Sequence, residues 1–146
     1  MTIEEAWVAW WEASGPLTEI VTGKLWRDQV PEENTDGTKV ELPFARYKIV
    51  TETQTDLTTA GDSATNQFDE ELLIQTDIWT ADADTTKQAR DVMVRLFDRF
   101  RPQLTTPESF VRCDRQSSVI TDDVEHDGTT IWRAIVEHIV IVQRNQ

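Results

Sequence analysis

Asp84 to Arg101, DTTKQARDVMVRLFDRFR, is the stretch that decides how this chain folds. Its apolar residues Ala89, Val92, Met93, Leu96, Phe97 and Phe100 recur at steps of three and one, which gathers them into one stripe of a 3.6-residue helix. Lys87, Arg90, Asp91, Arg95, Asp98 and Arg99 occupy the opposite face. The spacing predicts a helix over 84–101, with Asp84 or Thr85 capping the unpaired N–H groups of its first turn and Pro102 ending it. Two phenylalanines, a leucine and a methionine on one stripe need a broad apolar partner. The strand-like runs on either side of the helix supply it, so the expected unit is a helix packed on a sheet.

Working outward towards the N-terminus, Gln67 to Thr80 reads as a long strand with Phe68, Leu72, Ile74 and Ile78 on one face. Leu73 and Trp79 fall on the other, so that face is not fully solvated. Thr51 to Asn66, TETQTDLTTAGDSATN, holds little that could offset the entropy of ordering it, and is expected to be a hairpin tip or mobile loop. Asp56, Leu57 and Asp62 are its candidates for meeting a partner. Phe44 to Val50 is a strand, Pro31 to Pro43 a polar loop, and Lys24 to Val30 a short strand closed by Pro31. At the start, Thr2-Ile3-Glu4-Glu5 has the form of a capping box and opens a helix over about 3–13. Ile3, Ala6, Trp7, Trp10 and Trp11 form its stripe, which has two readings: a docking face for the core, or contact with another subunit. Ser14-Gly15-Pro16 breaks the chain before a short helical piece from Leu17 to Thr22.

Towards the C-terminus, Ser109 to Thr121 alternates as a strand, and Asp122 to Gly128 is a hairpin connection with Asp-Gly as its turn signal. Thr129 to Val142 is the last strand. Trp132, Ala134, Val136, Val140 and Val142 oppose Ile131, Ile135, Ile139 and Ile141, so both faces are apolar. A central strand covered on both sides explains this, and so does a face buried by assembly.

At 146 residues the chain is expected to be one domain, 1–146, able to bury a core without metal or disulfide staples. Cys113 is the single cysteine, which rules out an intrachain disulfide and a cysteine-based zinc site. No apolar run approaches the ~20 residues of a membrane span, and no signal-peptide pattern opens the chain, so a chain that is cytosolic when made, without membrane contact, is expected. A net charge of −13 disfavours gripping nucleic acid through its phosphates. Six tryptophans are many for this length and point to an interface.

Motifs that would carry chemistry are missing or broken. Asp123-x-Glu125-x-Asp127-Gly128 begins like a calcium loop, but its twelfth position is Ala134, where a bidentate Glu is needed. Gly23-Lys24 does not make a phosphate loop, since Leu25 stands where Ser or Thr would bind magnesium. His126 and His138 lack metal-ligand spacing, and His138 reads as a strand residue on a polar face. No nucleophile elbow appears. The expectation is a protein that is not an enzyme, with no cofactor and no metal.

The order helix, short strand ending in Pro, polar loop, strand, long polar loop, strand, helix, hairpin resembles the tail terminator (tail completion) proteins of long-tailed phages and the related minor tail and neck proteins. The resemblance is carried by Gly23-Lys24-Leu25-Trp26 running into Val30-Pro31-Glu32, by Leu42-Pro43-Phe44-Ala45-Arg46-Tyr47, and by Leu72-Leu73-Ile74-Gln75-Thr76-Asp77-Ile78-Trp79 before the helix. The Asp127-Gly128 hairpin into a β-branched strand completes it. It spans nearly the whole chain through loose patterns rather than a signature.

That resemblance implies an α+β fold, with a mixed, mainly antiparallel sheet flanked by helices. It also implies a structural virion protein in the tail or neck: a six-membered ring that caps the tail tube, ends its polymerisation and offers its other side to the head-tail connector protein. The partners implied are further copies of the chain, the tail tube protein and the connector, with DNA passing through an acid-lined hole unbound. Subunit-interface candidates are Trp7, Trp10, Trp11, Leu73, Trp79, Ile135 and Ile139. Alternatives are a head-side connector or minor tail component of the same particle, a monomeric acidic binding module or DNA mimic, and a small enzyme with an unrecognised site.

Overall fold

The computed structural model describes residues 1–56, 67–126 and 129–145, with side chains left out at a few strand ends. The fold is α+β. Helices α1 (Ile3–Glu12) and α2 (Gly15–Ile20) precede strands β1 (Leu25–Arg27), β2 (Phe44–Asp56) and β3 (Gln67–Thr80), then helix α3 (Ala83–Phe97) and strands β4 (Glu108–His126) and β5 (Thr129–Asn145). The five strands form one sheet in the order β1-β2-β3-β5-β4. β1 pairs parallel with β2, and every other pairing is antiparallel.

α1 starts as the capping box predicts. The Thr2 side chain accepts from the Glu5 N–H, and the Glu5 carboxylate accepts from the Thr2 N–H at 3.0 Å. α3 begins earlier than its stripe indicates. Its cap is Asp82, not Asp84 or Thr85: Asp82 Oδ2 accepts from the Thr85 N–H at 3.0 Å and the Thr85 hydroxyl at 2.7 Å. α3 also ends at Phe97 rather than 101, so Phe100 reaches the core from the turn that follows.

The helices cover one face of the sheet. Leu72, Ile74, Ile78, Ala134, Val136, Val140 and Val142 point from β3 and β5 into a core shared with Ala89, Met93 and Phe97 of α3 and with Trp7 and Trp11 of α1. Trp7 is fully buried. It stacks on Phe97 at 4.0 Å between centroids, meets Phe100 edge-on at 4.8 Å, and donates its Nε1–H to Thr76 Oγ1 at 3.2 Å.

Three strands outrun their predicted ends, β5 by continuing past Val142 to Asn145. β2 continues through Thr51–Asp56, because these threonine-rich residues pair with Leu73 to Phe68 of β3. Half a ladder of backbone hydrogen bonds orders a segment that has little apolar surface of its own. The remainder of the predicted loop, residues 57–66 with Leu57 and Asp62, lies outside the described residues, as does the Asp56 side chain. β4 runs to His126 rather than stopping at Thr121, and takes up most of the expected hairpin connection. Asp127 and Gly128, and the side chains of Asp123, Glu125 and His126, lie outside the described residues.

Candidate interaction surface

The second face of the sheet is covered by none of the described helices. Alternation on β3 and β5 sends Leu73, Gln75, Asp77 and Trp79 to this face beside Ile139, Glu137, Ile135 and Arg133, their respective partners across the ladder. Phe44, Arg46 and Lys48 of β2 flank them on one side, opposite Trp79, Asp77 and Gln75. Val119 of β4, opposite Ile135, flanks them on the other. Four of the sequence-predicted interface residues, Leu73, Trp79, Ile135 and Ile139, are thus brought together, half-buried, on one surface.

The tryptophans of α1 are elsewhere. Trp7 and Trp11 are sealed inside the protein's own core, so no surface is left on either for another subunit. Trp10 is half-buried and donates its Nε1–H to the Leu96 carbonyl at 2.9 Å, tying α1 to α3. For this helix the docking-face reading is the one the packing has.

The centre of the open face is ionic. Asp77 is fully buried although it lies on the uncovered side, because two arginines close over it. Arg46 Nε lies 2.9 Å from Asp77 Oδ2 and Arg133 NH2 lies 3.2 Å from the same oxygen. Gln75 Nε2 donates to the carboxylate at 3.0 Å. Both guanidiniums also sit over the Trp79 indole, at 5.1 and 4.9 Å from the ring centre. Arg46 reaches one group further, donating from NH1 to the Asp28 carbonyl at 2.8 Å. Asp28 adopts a left-handed φ of 64°, a conformation that Asp tolerates better than most residues, and its N–H donates to the Tyr47 carbonyl. One buried carboxylate therefore fixes two strands, an indole and the turn after β1.

Beside this cluster the 29–40 loop leaves a cleft of about 740 Å³, walled by Val30, Pro31 and Val40 and floored by Phe44, Arg46 and Trp79. Its size is that of a small-ligand or side-chain pocket. Its lining mixes apolar surface with Lys39, Arg46, Glu32 and Glu33, and among the described residues no three potential metal-ligating side chains gather anywhere.

A second polar cluster lies on the helix side, where sequence reasoning did not put it. His138 is fully buried under Trp7 and Phe97, not on a polar face. Its Nε2 is 2.9 Å from Asp98 Oδ1, the residue that caps the C-terminus of α3. Burial holds the imidazole below its ordinary pKa, against the opposing pull of the Asp98 hydrogen bond and carboxylate. Cys113 donates its thiol to the Phe97 carbonyl at 3.4 Å, and burial pushes its pKa up to about 12. These groups lock the end of α3 onto β4 and β5. The signal for His138 was available: it shares the parity of Val136 and Val140.

One chain in a solved structure of the virion of a native gene transfer agent particle has a similar fold. The TM-score is 0.56 at 14% sequence identity, over 96% of this chain and 94% of that one. No protein-family model matches the sequence, and no curated protein matches it.

Proposed function

We propose that this protein is a structural subunit of a phage-like virion, which forms a ring over the end of the tail tube, ends tube polymerisation and presents the surface for head-to-tail joining. In this reading it is not an enzyme. Its partners are further copies of itself in a ring of six, the tail tube protein and the connector, and DNA passes through unbound. It resides in the tail or neck.

The observation that carries the reading is the open sheet face. Leu73 and Ile139 pair across the ladder, and beyond Gln75 and Glu137 Ile135 and Trp79 flank the ionic cluster, all four on a surface that no described helix covers. A patch four strands wide and as long as Leu73 to Thr80 measures about 500 Å², which doubled over two partners reaches the ~1,000 Å² of a specific interface. Assembly is what would cover it. The fold likeness to a virion chain over nearly the full length of both chains supports the same reading, as does the net charge of −13, which discourages the surface from sticking to DNA.

The test is mass in solution by light scattering over a wide concentration range at two salt concentrations, followed by addition of the protein to growing tail tubes. A mass of six 16.8 kDa chains, or arrest of tube growth, is the expected result. The Ile135→Glu/Ile139→Glu variant should fold and no longer arrest growth. A protein that stays at 16.8 kDa in both settings overturns the reading in favour of a monomeric acidic binding module.

A further inference from the structure

Among the described residues the sheet ends in two bare edges, and we infer that copies of this chain join by pairing the outer edge of β4 in one subunit with the outer edge of β2 in the next. This rests on the ring-forming reading above and specifies the contact between copies.

β1 is three residues long and pairs with β2 only at Ala45–Tyr47. Beyond it, from Lys48 to Asp56, the outer side of β2 pairs with no strand among the described residues. β4 is the last strand on the opposite side, and its outer side is likewise unpaired among the described residues. Unpaired N–H and C=O groups along an edge invite another strand, and most folds blunt such edges.

Three features make these two edges suited to each other. The first is direction. β2 is antiparallel to β3, β3 to β5 and β5 to β4, so β2 and β4 run in opposite directions. Copies placed side by side therefore meet in antiparallel pairing, the stronger ladder.

The second is level. Across the sheet Lys48 aligns with Gln75, Glu137 and Ser117, and Asp56 aligns with Phe68, Arg144 and Glu108. The bare stretch of β2 thus faces, in a neighbour, the Glu108–Ser117 half of β4.

The third is shape. β2 bulges between Ile49 and Thr51, opposite Ile74, and β4 bulges between Arg115 and Ser117, opposite His138, the partner of Ile74. One bend of each edge thus lies at a shared level of the sheet, and β4 carries a second bulge between Phe110 and Arg112, level with Gln54 and Thr53, where β2 has none. Each edge also carries an exposed valine: Val50 is 43% exposed, and Val111, level with Gln54 and Thr53 rather than with Val50, is 49% exposed.

The contact is head-to-tail, so it closes into a ring if the rotation between copies closes. At this level each copy contributes four strands. Six copies spaced at ~4.8 Å per strand give a circumference of about 115 Å and a diameter of about 37 Å, an open channel rather than a packed barrel. The open sheet face then remains for the next component of the particle.

The test uses two double variants at exposed positions: Val50→Lys/Thr53→Lys on the β2 edge and Ser109→Lys/Val111→Lys on the β4 edge. Lysines on an edge discourage pairing and leave the fold intact, which circular dichroism and the urea midpoint check. The single changes Val50→Lys and Val111→Lys replace either double variant that loses its fold. Each variant alone is expected at the 16.8 kDa chain mass, and an equal mixture at twice that mass and no more, because each supplies the edge the other has lost. Wild type that assembles while both variants assemble equally well, or a mixture with no dimer, overturns the edge pairing and leaves the ring reading standing. Wild type that stays monomeric both alone and at tube ends removes the ring reading and the edge pairing with it.

Discussion

Replacing Trp7 by Ala asks whether α1 is a core element or an assembly surface. The indole is 0% exposed, stacks on Phe97, meets Phe100 and His138 edge-on and donates to Thr76 Oγ1. Removing a buried Trp costs about 3–5 kcal/mol in transfer and cavity terms. The Thr76 hydroxyl, itself fully buried, loses its donor, which adds about 1 kcal/mol. A total of about 4–6 kcal/mol is a large part of the ~5–15 kcal/mol that holds a typical domain together. With a urea slope of ~2 kcal/mol/M, the midpoint should fall by about 2–3 M, or the variant should fail to fold. Trp7→Phe keeps most of the stack and loses the N–H bond, so it should cost about 1–2 kcal/mol, a shift of under ~1 M. The assay is urea unfolding followed by circular dichroism at a concentration where the protein is a single species. A Trp7→Ala variant with a wild-type midpoint and impaired assembly would refute the core placement.

Other outcomes follow from the two polar clusters. His138 has its pKa held below the ordinary 6.5, so the unfolded chain takes up a proton there before the folded one does. Stability should be level above pH 6.5, decline as the pH falls below it and flatten once the pH is beneath the folded pKa. His138→Gln should remove that slope in urea midpoints taken at half-unit steps. Asp77→Ala leaves two guanidiniums facing each other over Trp79. Because both arginines keep some solvent access, the loss should sit near the lower end of the ~3–5 kcal/mol for an orphaned buried pair, measurable by thermal melting, with Asp77→Asn milder. Cys113, with its pKa at about 12, should react with a disulfide reagent at pH 8 far more slowly in the native protein than in urea, and rapid stoichiometric labelling of the native protein would contradict its placement.

Local periodicity carried much of the architecture. The stripe from Ala89 to Phe97 needed only its own spacing to be legible as a helix on a sheet, and the capping box at Thr2 and Glu5 marks the start of α1 where the structure has it. β3 runs from Gln67 to Thr80 as its alternation predicts, with Leu72, Ile74 and Ile78 inward and Leu73 and Trp79 outward. These signals are written within one or two turns or a few residues of strand, so neighbours in sequence suffice to read them.

What remained hidden depends on partners far away in the chain. Thr51–Asp56 is polar and turn-like by composition, yet it is strand because β3 offers it a ladder. Asp77 and Trp79 lie two residues apart on one face by parity alone, but only the order β2-β3-β5 brings Arg46 and Arg133 to them from either side. His138 is ordinary in sequence until the turn after α3 places Asp98 against it. Sequence fixes which way a residue points along its own element, because that follows from backbone geometry. Which element lies next to it is settled by the burial and pairing of the whole sheet, and with it the open face, the two bare edges and the surfaces through which this chain would assemble.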